Sequence, residues 1–134
     1  MKSVVLVLPL VLVLTGAASP DRFGEICSGS EIVTVGSQPP RTLPYDLSFS
    51  ADLAAGRYCY DKCGPAQSFA IANAHAAPIR LADLDDGPRQ SRHLVFDRAA
   101  QVLTDDQSLD AGLAIVKRHA RAQCHAALFT APAP

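Results

Sequence analysis

The sequence predicts an all-β fold, a small antiparallel meander rolled into a barrel or sandwich and stapled by disulfides. Three observations predict it. Short apolar runs alternate with a period of two, as half-buried strands do. Clusters of Gly, Pro, Asn and Asp punctuate those runs at close intervals, the pattern of an all-β chain. Four cysteines, an even number, offer two cross-links. The chain has 134 residues, and beyond residue 18 Leu, Ile, Val and Phe make up only about a fifth of it. That composition supports one small domain with a thin core. It excludes a multidomain enzyme, a solenoid and a polytopic membrane protein.

Residues 1–18 read as a secretory signal peptide: Lys2, an apolar run over 4–14, and the small residues Gly16, Ala17 and Ala18 before the cut. The run is shorter than the roughly 20 residues that a spanning helix needs. Residues 19–26 read as a lead-in, 27–128 as a single β domain and 129–134 as a frayed Ala/Pro tail. Within the domain, 31–35 is a weakly alternating first strand that ends at Gly36. Pro39, Pro40 and Pro44 make 38–44 a connector, because proline removes a donor and fixes the backbone. The clearest period of two follows, with Tyr45, Leu47 and Phe49 on one face and Asp46, Ser48 and Ser50 on the other. A turn over 52–56, with Gly56 free to take positive φ, returns the chain through 57–60.

Cys63-Gly64-Pro65 breaks the chain again, and Phe69 and Ile71 then share a face. An alanine-rich turn over 73–78 leads into a strand carrying Ile79 and Leu81, which stops at Asp85-Asp86-Gly87-Pro88. Residues 93–97 and 102–104 form a second hairpin across 98–101. The last element fits two templates. As a strand it turns Ala114, Val116, Ala120, Ala122 and Cys124 inward; as a helix over 110–128 it would make the fold α+β. Consistency with the preceding meander favours the strand.

Cys27, Cys59, Cys63 and Cys124 allow three disulfide connectivities. Cys59–Cys63 with Cys27–Cys124 is favoured, because the first pair is already local. The second would then close a loop of about 100 residues, worth roughly 4–5 kcal/mol in the chain-entropy account. Export into an oxidising compartment, periplasm or medium, fits that cysteine usage. Cys59-x3-Cys63 is also the feature a thiol-redox or metal-handling protein would use, with Cys124 and His125 as helpers. Yet redox dithiols usually carry two intervening residues at a helix start, and zinc pairs recur in a second compact set. Asp83, Asp85, Asp86 and Gly87 lack the closing glutamate of a calcium loop. Asp105 and Asp106, adjacent on a strand, point to opposite faces. No nucleophile elbow or convergent catalytic set stands out, so no catalytic residue, metal ligand or cofactor is assigned.

The formal net charge of −1 gives no general attraction to nucleic acid or anionic lipid. One local asymmetry exists. Lys117, Arg118, His119 and Arg121 form a basic ridge, with no acidic residue after Asp110. It suits an acidic protein or an anionic envelope component.

Cys27-Ser28-Gly29, the Asp52-Leu53 turn before Arg57-Tyr58-Cys59, and the late Asp97-Arg98 turn resemble a loose group of small uncharacterised exported bacterial proteins. The resemblance spans most of 27–124 and implies a β fold without implying an activity. Where that group shows Thr-Gly in the late turn, this chain has Ala100-Gln101. A fainter likeness to the periplasmic lysozyme inhibitors carries over no residue, because their cleft-plugging Ser-Gly stretch has no counterpart here. The expectation is an exported, non-catalytic binding or structural module of the bacterial envelope, without stable membrane insertion. A thiol-redox or metal-handling protein and an inhibitor of an incoming hydrolase are the alternatives.

Overall fold

The computed structural model describes residues 20–134, so the expected leader at 1–18 lies outside the described residues. Eight strands follow one another: β1 (Arg22–Val35), β2 (Arg41–Asp52), β3 (Arg57–Tyr60), β4 (Ser68–Ala70), β5 (Ile79–Asp86), β6 (Gln90–Asp97), β7 (Val102–Asp110) and β8 (Ile115–Ala127). They form one antiparallel sheet in the order β4-β3-β2-β1-β8-β7-β6-β5. The sheet curls until its two edges meet at the Asn73–Arg80 bridge, which makes a nearly closed barrel. The described residues contain no helix beyond a single 3-10 turn at Pro65–Gln67, and none long and apolar enough to cross a membrane.

The last element is therefore a strand, and the α+β alternative is excluded. Its alternation decides the matter: Ala120, Ala122 and Cys124 are buried while Arg121, Gln123 and His125 face out. Several boundaries differ from the sequence reading: β6 begins at Gln90 and β7 runs to Asp110, beyond the hairpin read at 93–97 and 102–104, and three further differences shape the barrel. The lead-in belongs to β1, which begins at Arg22 because Phe23 packs its ring on Phe49 and Phe96. The proline connector gives way to strand at Arg41, and Pro44 sits inside β2 opposite Ser30. The tail is not frayed. Its Thr130 N–H donates to Ser50 Oγ at 3.0 Å, its Ala133 N–H donates to Ser68 Oγ at 2.8 Å, and Ala133 O accepts from Arg57 Nε at 2.9 Å. Prolines in the tail leave few amides to satisfy, and the outward hydroxyls of β2 and β4 meet two of those that remain.

The interior changes character along the barrel axis. At the end where β1 begins, Phe23, Phe49 and Phe96 pack with centroids 5.2–6.2 Å apart, and Arg98 caps them with its guanidinium 4.6 Å above the Phe23 ring. Leu81, Leu94 and Leu103 fill the middle without measurable exposure. The opposite end is polar: Arg118 grips Glu31 through two 2.9 Å bonds, and Asp105 lies buried beside Tyr45.

Cys27 and Cys124 face each other across the β1–β8 pair and are bonded, joining the first and last strands. Cys59 and Cys63 form the second disulfide. These two bonds point to an oxidising, exported environment. Two positions along from Cys27, Gly29 lies so close to β8 that a Cβ would stand 2.1 Å from Arg121 O and 2.7 Å from Ala122 Cα. Neither atom is a movable side chain, so the strands must separate to admit a methyl. Gly29→Ala should lower stability by about 2 kcal/mol in urea unfolding. Gly56→Ala, in open space at φ +64°, should lose about 1 kcal/mol through its backbone alone.

Candidate functional site

The barrel closes over a short stretch only. Asn73 and Arg80 exchange two backbone bonds, and the Ala72 N–H reaches Leu81 O at 3.1 Å. At Leu81 the β5–β6 register shifts between Arg80 and Ala82. Such a bulge bends its strand and re-aims the side chains beyond it. Past this point β4 and β5 have no pairing with each other. Between them opens a cleft of about 410 Å³ lined by Tyr58, Tyr60, Phe69, Leu84, Arg92 and Asp83, with Ala70, Ala72 and Ala82 among them. Its volume falls in the range of small-molecule sites.

One wall is aromatic. Phe69 stacks on Tyr60 at 5.3 Å and leans on Tyr58 at 5.6 Å, yet remains 37% exposed. Leu84, 45% exposed, stands on β5. Alternation along β3 sends Tyr58 and Tyr60 inward and Arg57 and Cys59 outward.

The other feature is Arg92. Its Nε and Nη2 donate to the two oxygens of Asp105 at 3.1 and 2.9 Å. Tyr45 Oη at 3.0 Å and Gln107 Nε2 at 2.9 Å also donate to that carboxylate. Asp105 thus orients the guanidinium through a bidentate fork and is itself fully bonded. Burial pulls the Arg92 pKa down, but the Asp105 bonds outweigh it and hold it above the ordinary value. Burial, and then the Asp105 charge, push the Tyr45 phenol up. Tyr58, also raised by burial, has no acceptor for its hydroxyl among the described residues. Arg92 Nη1 likewise makes no side-chain bond there. An orienting network thus leaves two donors on residues that line the aromatic cleft.

Glu25 is the exception among the buried acids. It is 5% exposed, and its Oε2 has no partner among the described residues. Burial raises its pKa against the pull of Gln101, Arg98 and His125. The fold therefore binds a proton there more tightly than the unfolded chain does. This contribution to stability is full below the unfolded pKa and is lost as pH rises through the folded one. Glu25→Gln should gain about 1 kcal/mol at pH 7 and less at pH 4, measured by thermal melts at both.

The basic ridge divides between two faces. Arg118 turns inward to Glu31, while Lys117, His119 and Arg121 face out, since neighbours on a strand point oppositely. His119 Nδ1 is bonded to Asp106, and His93 Nδ1 meets Asp83 at 2.6 Å on the same outer face. The acidic run at 83–86 is committed locally: Asp83 pairs with Arg80 and His93, Asp85 accepts from the Gly87 N–H, and Asp86 pairs with Arg89. Cys59 is wholly buried and Cys63 is 7% exposed, with Thr130 O of the tail 3.6 Å from Cys59 Sγ. Cys124 lies in the other disulfide, so the cysteines and His125 do not converge. Among the described residues no group of three or more His, Cys, Asp or Glu is placed to hold a metal ion.

The sequence reading assigned no role to Tyr58, Tyr60, Phe69, Leu84 or Arg92. The alternation of Tyr58 and Tyr60 around Cys59 was the available signal. That β5 would bulge and part from β4 is written in no local pattern.

Fold and site define a disulfide-stapled, eight-stranded antiparallel barrel with an aromatic cleft at its seam. No family model matches the chain, and no curated protein or solved structure does either.

Proposed function

We propose that this chain is an exported, non-catalytic binding module, working in the periplasm or the medium, whose binding site is the seam cleft. One observation carries the reading: exposed aromatic and aliphatic side chains, Phe69 and Leu84, line a cleft together with Arg92 and Tyr58, whose Nη1 and hydroxyl make no side-chain bond. Soluble barrels usually close over such residues, and a concave apolar wall with a few convergent polar groups is how small-molecule sites are built. The outer face supports the non-catalytic part. The imidazole of His119 is oriented by Asp106, but the β7 and β8 strands around it are paired along their lengths. Their N–H groups are thereby committed to the ladder, whereas acyl transfer needs free donors aimed at a developing oxyanion. Lys117 and Arg121 are two outward cations in place of the continuous ridge of four, which favours the cleft over an anionic polymer as the binding feature.

Nile red, a neutral dye that brightens in apolar sites, tests this on the disulfide-intact protein. Wild type should bind it, Phe69→Asp should lose most of the signal, and Lys117→Glu/Arg121→Glu should leave it unchanged. Dye binding indifferent to Phe69, or abolished by the ridge variant, would sink the assignment.

A further inference from the structure

Resting on that reading, we infer that the cleft selects a small organic monocarboxylate with a flat apolar body. The body is specified by the wall. Tyr60 and Phe69 lie nearly parallel, 17° apart, so the wall they form suits a flat partner. Leu84 and Ala82 supply the aliphatic side.

The head is specified by the inner end. A guanidinium has five N–H donors, and the two bonds to Asp105 fix the plane of Arg92 while leaving Nη1 without a side-chain acceptor. The Arg92 side chain is 27% exposed, so its outer edge is reachable. The Tyr58 hydroxyl adds a second donor in the same cleft. Two donors, one of them cationic, call for an acceptor-only group, and a carboxylate is the compact group that accepts from both.

The charges around the inner end agree. Asp105 already accepts from Arg92, Tyr45 and Gln107, and so takes little of the donor capacity that faces the cleft. Asp83, the acid in the cleft lining, is tied to Arg80 and His93, and the His93 bond holds its pKa below the ordinary value. An anion entering past Asp83 meets a compensated charge, whereas a cation would meet the positive charge of Arg92. A neutral ligand of the same shape would keep the stacking and lose the charge-assisted bonds.

Titration calorimetry of the disulfide-intact protein in low salt at pH 7 tests this with three probes of one shape: 2-naphthoate, the neutral 2-naphthamide and the cationic 2-naphthylmethylammonium. Naphthoate should bind at least tenfold more tightly than the amide, and the ammonium more weakly still. Tyr58→Phe should narrow the naphthoate advantage severalfold. Arg92→Lys, which keeps the positive charge but loses the planar fork, should nearly abolish it. Phe69→Ala should weaken the probes by a common factor. If Arg92→Lys does not fold, judged by circular dichroism, Tyr58→Phe alone decides. Equal binding of naphthoate and naphthamide, both sensitive to Phe69, would overturn the carboxylate while leaving the cleft reading intact. Failure of every probe to bind would overturn both.

Discussion

Replacing Cys27 and Cys124 together by alanine should cost about 5 kcal/mol of stability, whereas the same change at Cys59 and Cys63 should cost about 2. The first bond spans 97 positions and the second spans 4. In the chain-entropy account the loss grows with the logarithm of the loop closed, so the long-range bond restrains the unfolded chain far more. Its position compounds the effect. It links β1 to β8, the pair farthest apart in sequence and the one that joins the β1–β4 and β5–β8 halves into a single sheet. A domain of this size holds only about 5–15 kcal/mol, so the Cys27–Cys124 variant should sit near its unfolding midpoint at body temperature. Urea titrations of the two double variants check this. Equal midpoints would show that closure of β1 on β8 is not the limiting element.

Removing the carboxylate of Asp105 should be the most damaging change that leaves the disulfides alone. Asp105→Ala leaves the half-buried Arg92 charge uncompensated and takes an acceptor from Tyr45 and Gln107. Breaking a buried pair on one side costs about 3–5 kcal/mol. Replacing both partners by apolar groups is a different experiment. Asp105→Leu with Arg92→Met should recover much of that loss, since the desolvation of both charges disappears with them. It should also erase any preference of the cleft for an anion. A double variant less stable than Asp105→Ala would mean that the network contributes more than the avoidance of one orphaned charge.

Much of the barrel was legible before any coordinates. The alternation of Tyr45, Leu47 and Phe49 faithfully marks the inner face of β2, and Gly56 turns the chain at φ +64° as its type invites. The late turn is instructive. Without the expected glycine, Gln101 itself takes φ +54°, and Asp97 Oδ1 ties down the N–H groups of Ala99 and Ala100. Side-chain bonds there substitute for conformational freedom. The tail misled for a similar reason. Its composition reads as disorder, and only the distant hydroxyls of Ser50 and Ser68 hold it in place.

The sequence by itself determined the class of fold, the strand-and-turn order, the opposed faces of Asp105 and Asp106, and the presence of enough cysteine for two cross-links. These depend on near neighbours, whose side-chain directions follow from a period of two. Tertiary structure decided which strands lie together at the seam, that Glu31 is the partner Arg118 meets, and that Arg92, Tyr58 and Phe69 share one cleft. Those facts arise from the pairing of distant strands, the curl of the sheet and a bulge at Leu81. A bulge is a compromise among strands distant in sequence, so no local pattern announces it.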